Sequence, residues 1–375
     1  DRPAFSMRNV AIAASIILIA TPEAVMHVGF QMSFAAVVAL IAFYEWSRAR
    51  ASAGGGGLGD ASQAMRTALK ARRYLMGVAL TSVIAGAATG VYAAFHFNHH
   101  ANYGLAANMA AMPIFGFWVM PCAVLAALLT PFGLEGPAIA AMAAGVEAVL
   151  AIARAVAGWP GSVGRIADWP AATAVFVSLG GIWVCLWTKP WRWTGLAPAA
   201  LGFALVPASA PPDILINRTG ENVAVRLDSG DGEPARLAIR TARKDRYTSE
   251  LWLRGDGDGR SRADAAAAWE EAFACDARGC VSRPGYRHRV AVVDDPMAVR
   301  EDCTTVDVLV TTAPVGWRLR TSCSARIIDK WDLWRGGSHA VRFDGGGAGA
   351  PDVIDAETLR GRRPWTRASR LSTRE

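Results

Sequence analysis

The sequence predicts an α-helical polytopic membrane domain followed by a mixed α/β soluble domain. Three observations predict it. The 375 residues are 52% hydrophobic and only 19% charged, whereas an ordinary soluble domain carries about a quarter charged residues. The run Ala101–Leu134 contains no charged side chain at all. From Asp213 onward, charges are frequent. Such a split calls for two solvents, hydrocarbon first and water second. The boundary falls near 210, with a membrane domain over 1–210 and a soluble domain over 211–375.

The chain begins at Asp1, and Arg2-Pro3 leads straight into an apolar run with no legible cleavable leader. It reads as a fragment of a longer protein or as a sequence lacking its start. A membrane helix needs about 20 apolar residues, with roughly 17 as the lower limit. Val28–Tyr44 and Tyr74–Phe95 are uncharged and qualify. Ala101–Leu134 is longer than one span and holds Pro113, Pro121 and Pro131, which predicts a kinked helix or a helix plus a re-entrant piece. Val10–Thr21, Pro137–Val156, Ala171–Trp187 and Thr194–Ala210 are weaker segments, either short or, at Glu147, charged. All seven together make a domain of about seven spans. Trp159, Trp169, Trp183, Trp187, Trp191 and Trp193 suit membrane–water interfaces or ordinary packing.

Basic residues orient the spans. Arg48, Arg50, Arg66, Lys70, Arg72 and Arg73 face one acid, Asp60, in a connection that also holds Gly54–Gly57. The positive-inside rule makes this connection cytoplasmic. Lys189 and Arg192 mark a second basic turn, which belongs on the same side. An even number of crossings must separate the two, so Pro137–Val156 is expected to cross. Its rival reading is a flat amphipathic helix with Glu147 and Arg154 in water. A last crossing at 194–210 then puts the soluble domain outside the cytoplasm. The net charge of +7 follows from the basic loop and tail, or signals attraction to a polyanion.

In the soluble part, Asp213–Ile216, Val223–Leu227, Leu237–Ile239, Val290–Val293 and Val306–Val310 read as strands. Thr248–Leu253 and Ala263–Phe273 read as helices. Cys275, Cys280, Cys303 and Cys323 suggest two disulfides on the non-cytoplasmic side. Three connectivities are open, the local one being Cys275–Cys280 with Cys303–Cys323. A zinc site competes, but the spacing of Cys303 and Cys323 does not suit one. Cys122 and Cys185 read as buried small hydrophobes. Asp256 and Asp258 read as a solvated turn rather than a calcium site. His96, His99 and His100 read as a solvated helix end, with a metal site as the alternative.

Three stretches carry a family resemblance. Pro22 precedes Gly29-Phe30-Gln31-Met32-Ser33-Phe34-Ala35-Ala36-Val37. Phe95-His96-Phe97 precedes Tyr103-Gly104-Leu105-Ala106-Ala107-Asn108 and Pro113. Arg2-Pro3 opens the chain with Ser6, Arg8 and Asn9. In order and spacing these resemble the latter half of the membrane domain of the ComEC/Rec2 family of competence proteins. The resemblance covers roughly residues 1–200 and lacks the family's amino-terminal domain. It implies a channel for single-stranded DNA in a bacterial inner membrane. It also implies partner competence proteins, including a cytoplasmic ATPase, and a possible homo-oligomer. Polar groups in a bilayer are costly and usually face the bundle interior or an aqueous path. On that ground Arg8, Asn9, Gln31, Ser33, His96 and Asn108 are candidate DNA-path residues, with helix–helix hydrogen bonding as the competing reading. Glu147 is a further intramembrane polar group of the same kind.

The tail resembles an eroded form of the metallo-β-lactamase-like domain that many relatives carry. Asp213-Ile214-Leu215-Ile216, Gly220 and Val223-Ala224-Val225 are similar to its opening strand pair. Val306-Asp307-Val308-Leu309-Val310 resembles the strand that delivers its H-x-H-x-D-H cluster. Here Thr311-Thr312-Ala313-Pro314 follows, and only His288 and His339 exist in the domain. A two-metal hydrolytic site needs several His and Asp ligands, so no catalytic residue, no metal and no cofactor is expected. The competing functions are a membrane-anchored nuclease acting on incoming DNA and a small-molecule transporter. The basic tail Arg360-Gly361-Arg362-Arg363-Pro364-Trp365, with Arg367 and Arg370, reads as a solvated terminus or as a phosphate-and-base contact.

Overall fold

In hydrocarbon each backbone N–H and C=O must be bonded within its own segment, so apolar runs become helices. The computed structural model of the chain describes residues 6–51, 63–208, 211–227, 235–343 and 350–361. Arg2 and Pro3, Gly54–Gly57, Asp60 and the tail from Arg362 to Arg370 lie outside them. The chain divides into two compact units, Asp1–Ser209 and Ala210–Glu375.

The first unit is helical. Helix α1 (Met7–Ala20) ends at Thr21, and a 3₁₀ turn at Pro22–Met26 leads into α2 (Val28–Ala51). Helix α3 (Gln63–Phe97) follows. Helices α4 (Gly104–Ile114) and α5 (Met120–Leu129) are joined by one π turn at Phe115–Val119. Ala101–Leu134 is thus an interrupted helix: Pro121, which lacks an N–H, falls just after the π turn, in the first turn of α5. Helix α6 (Gly136–Ala157) packs on α4, α5 and the π turn. Helix α7 (Ala171–Leu186) packs on α2, on α3 and on α8 (Leu196–Ala204). A short pair, β1 (His99–Ala101) and β2 (Val163–Arg165), runs antiparallel and joins two loops.

Among the described residues four segments are long and apolar enough to cross a membrane: Val28–Arg48, Thr67–Phe97, Gly104–Phe132 and Gly136–Ala157. Met7–Ala20 and Ala171–Leu186 are shorter apolar helices. The crossing expected at Thr194–Ala210 is not one α-helix. It is built from a 3₁₀ piece at Pro190–Gly195, then α8, then a 3₁₀ turn at Val206–Ala208. Nine α-helical residues rise about 14 Å, less than half of a hydrocarbon core of about 30 Å. Pro207, which lacks the N–H that an α ladder needs, falls where α8 gives way to the last 3₁₀ turn.

The described residues of the second unit form two five-stranded sheets. One is antiparallel throughout, with β3 (Ile214–Ile216), β4 (Val223–Leu227), β5 (Arg236–Ile239), β11 (His339–Arg342) and β12 (Asp352–Asp355) in the order β12-β11-β3-β4-β5. The other holds β6 (Phe273–Cys275), β7 (Gly279–Ser282), β8 (Val290–Val293), β9 (Val308–Thr311) and β10 (Arg326–Ile328) in the order β10-β9-β8-β7-β6. Strands β8, β9 and β10 are parallel, and the β6–β7–β8 pairs are antiparallel. Ile214, Ile216, Val223 and Val225 of the first sheet meet Val290, Val292, Val308 and Val310 of the second in one core. Helices α9 (Arg246–Gly255) and α10 (Arg262–Ala272) cover the outer face of the first sheet, where Leu253 and Ala265 meet Leu237 and Ile239. Helix α11 (Pro296–Asp302) covers the other, where Val299 meets Val293 and Leu309. The layers therefore run helix, sheet, sheet, helix. Helices α12 (Trp317–Ser322), α13 (Lys330–Gly336) and α14 (Ala356–Arg360) complete the unit.

Cys275 bonds Cys280 across the β6–β7 hairpin, and Cys303 bonds Cys323. Asp256 and Asp258 do not lie in a solvated turn. Their side chains are 9% and 11% exposed and pair with Arg226 and Arg260. Burial pushes the Asp256 carboxyl above its ordinary pKa despite Arg226. Burial would raise Asp258 as well, but Arg260 outweighs it and holds that carboxyl low.

Candidate functional site

Helices α2 and α3 are packed neighbours joined through the Arg48–Arg73 connection, so their far ends meet at the opposite end of the pair. Gln31 lies in the first turns of α2 and His96 in the last turn of α3. The His96 Nε2 and Gln31 Oε1 atoms are 2.7 Å apart, and the Gln31 amide also donates to the Val25 carbonyl at 2.9 Å. Both side chains are half-buried. With Gln31 accepting through Oε1, the imidazole donates from Nε2. A glutamine held on both sides is a fixed polar point at this end of the pair.

A lattice of polar contacts continues from this pair. Asn98 follows α3 in the left-handed region (φ 57°), which asparagine tolerates better than most residues. It is buried and donates to Asp168 at 2.7 Å, while the Ile166 N–H donates to the Asn98 carbonyl at 2.9 Å. Asn102 donates to the Gly161 carbonyl at 2.7 Å, and the Tyr103 hydroxyl donates to that of Pro160 at 3.1 Å. The loop after α3 is thereby sewn to the loop after α6. His99 stands opposite Arg165 in the β1–β2 pair. The His100 ring fills the space over Gly164, where a Cβ would come within 2.1 Å of it.

The remaining candidates are spread out. Asn9 and Ser33 line one cavity of about 280 Å³ between α1 and α2, together with Ser6, Phe34 and Ile41. Arg8 is exposed at the start of α1, and Asn108 is exposed on α4. Glu147 is exposed on α6. The three histidines do not converge: His96 meets Gln31, His99 Nδ1 meets the Phe97 carbonyl at 2.7 Å, and His100 covers Gly164. Sequence reasoning missed Asn98–Asp168 and the contact of Tyr92 with Ser178, whose hydroxyls lie 2.8 Å apart between α3 and α7. Asparagine just past an apolar helix end was the available signal for Asn98.

At the end of β9, the Thr311 hydroxyl accepts from the Ala313 N–H at 3.1 Å. Among the described residues no group of three His, Cys, Asp or Glu could hold a metal ion. His339 is buried against the Gly337 carbonyl, at 2.8 Å. His288 stacks on Phe343 at 3.6 Å. Burial lowers the His288 pKa, with Asp213 and Asp307 pulling it back up. This donor set does not fit a two-metal hydrolytic centre.

A family model described as Competence protein matches residues 1–191, just over half of the chain. No curated protein and no solved structure matches it.

Proposed function

The chain belongs to the competence protein family, and from that premise we propose that it is a channel component passing single-stranded DNA across a bacterial inner membrane. Membership in that family suggests involvement in DNA uptake. The observation that carries the channel reading is the Gln31–His96 pair. It joins two motif segments, far apart in sequence, at one end of two apolar helices. Held polar groups at such a place can line a wet path where a lone helix would present only hydrocarbon.

On this reading the polar end of the α2–α3 pair, with the loops sewn by Asn98, Asn102 and Tyr103, faces the periplasm. The basic Arg48–Arg73 connection stays in the cytoplasm. The soluble unit is periplasmic and is a metal-free relative of the metallo-β-lactamase fold, a view its helix–sheet–sheet–helix layering supports. It performs no chemistry. Driving force comes from other competence proteins, including a cytoplasmic ATPase, and the channel assembles in the bilayer, as a homo-oligomer or with those partners.

The test is deletion in the native host, scored with labelled transforming DNA. Loss of cytoplasmic label with normal periplasmic label is expected. Unchanged cytoplasmic label would reject the channel.

A further inference from the structure

The second unit carries a surface that the uptake reading does not use. Helix α12 follows β9 and α13 follows β10, and these two strands are parallel neighbours. The two helices therefore sit over the carboxyl ends of adjacent strands, where parallel sheets commonly present ligand surfaces. They are locked to each other. The Arg320 guanidinium of α12 donates to Asp332 at 2.7 Å and lies 3.1 Å from Asp329. Asp329 caps α13 and accepts from the Val315 N–H at 3.0 Å, in the loop leading to α12.

Three tryptophans stand on this locked pair, Trp317 at 72%, Trp331 at 48% and Trp334 at 42% exposure. Trp331 and Trp334 meet edge to face with centroids 5.9 Å apart, and the Arg318 guanidinium lies 5.9 Å from the Trp317 ring. Burying large apolar side chains stabilises a fold, yet these three indoles stay open on two helices that an ion pair holds together. The segment that carries them is itself basic. From Pro314 to Ser338 there are five basic residues against two acids, Asp329 and Asp332, and both acids pair with Arg320. Among the described residues no carboxylate pairs with Arg318 or Lys330.

We propose that α12 and α13 form a landing surface for single-stranded DNA. Unpaired bases expose flat faces that stack on indoles, and their phosphates suit Arg318 and Lys330. A duplex hides those faces. A bilayer interface also takes tryptophan and arginine, but an interfacial helix needs a broad apolar face. Here the other apolar residues, Leu319 and Leu333, pack inward on the two cores. The exposed side offers indoles set among charges.

The proposal deepens the uptake reading and rests on it for its biological sense. Its test is separate: fluorescence anisotropy of a labelled oligothymidylate of about 20 nucleotides with the full chain in lipid nanodiscs. Substituting Trp317, Trp331 and Trp334 together by Ala should weaken binding by tenfold or more, since stacking on aromatic rings carries much of single-strand affinity. Arg318→Glu with Lys330→Glu should weaken it as well and flatten its salt dependence. These exposed charges can be reversed without touching the core. Tyr247→Ala, an exposed aromatic on α9, should change nothing. Wild-type affinity in both the tryptophan and the charge variants overturns the proposal, and so does equal competition by duplex of the same length. A bimane at Thr321→Cys, in a Cys122→Ala/Cys185→Ala background, reports the lipid alternative. Quenching of that bimane by brominated lipid, with no oligothymidylate bound, also overturns it. Binding that survives in a protein whose deletion leaves transformation unchanged would instead reject the uptake reading alone.

Discussion

His96 and Gln31 share one hydrogen bond, so their substitutions should not add. His96→Ala and Gln31→Leu are each expected to lower transformation by about tenfold or more with membrane protein levels held. The double variant should be little worse than either. Full additivity in the double variant would show that the two side chains act apart. Gly180 makes a different prediction, about packing. A Cβ there would lie 2.4 Å from the Gly195 carbonyl and 2.9 Å from the Ala199 N–H, both backbone atoms that cannot swing aside. Small residues let α7 and α8 touch backbone to backbone, as membrane helices commonly do, and Thr173 adds a hydrogen bond to the Gly202 carbonyl at 2.9 Å. Gly180→Ala should cost about 1–3 kcal/mol by overpacking. Gly181→Ala, with open space around it, should be neutral or slightly stabilising. Thermal unfolding of the two variants in detergent, followed by size exclusion, compares them directly. Asp332 adds a pH dependence. Burial alone would raise its carboxyl, but Arg320 outweighs it and holds the pKa below the ordinary value. Its contribution is therefore complete above about pH 4, the unfolded value. It is lost as pH falls through the folded pKa. Asp256, raised by burial, works in the opposite sense. Asp332→Asn should flatten the loss of melting temperature below about pH 4, and an unchanged slope would remove Asp332 from that account.

The two disulfides differ at the scale of elements. Cys303–Cys323 closes a separation of 20 residues and Cys275–Cys280 one of 5. Loop entropy in the unfolded chain then favours the first, at about 3 kcal/mol against about 2 kcal/mol. Cys303 is also buried in the core beneath α11. Cys303→Ser with Cys323→Ser should lower the denaturant midpoint more than Cys275→Ser with Cys280→Ser, and the reverse order would mean that strain or packing at the hairpin dominates. The same elements mark what was legible in the sequence. Val223–Leu227 and Val290–Val293 were readable as strands because each is an apolar run flanked by turn residues. Strands such as β7, β11 and β12 were not, because they mix polar with apolar residues and are too short for that mixture to establish an alternating pattern. The long spans were legible from length and charge alone. The site was legible in part: Gln31 and His96 could be named, but their contact spans 65 positions, which no local period reports. The indole surface on α12 and α13 was hidden for a similar reason, since Trp317 and Trp331 belong to different helices brought together by β9 and β10.

For the whole molecule, the sidedness of the first unit decides where any path opens. Arginine and lysine are retained on the cytoplasmic face during insertion. The Arg48–Arg73 connection should therefore be inside and the loops sewn by Asn102 and Tyr103 outside. Only Cys122 and Cys185 are free thiols among the described cysteines, so a Cys122→Ala/Cys185→Ala background is silent to maleimide while both disulfides stay oxidised. In that background, Ala71→Cys, on the exposed face of α3 near the basic connection, and Ser162→Cys, in the loop beside β2, report the two ends. An impermeant maleimide added to intact cells should label Ser162→Cys at once and Ala71→Cys only after permeabilisation. The opposite pattern would invert the unit and turn the Gln31–His96 end toward the cytoplasm. Labelling of both from outside would mean that the segments between them do not cross in the order that their hydropathy and charge require. Either result would leave a polar path in the wrong place to receive DNA from outside the cell.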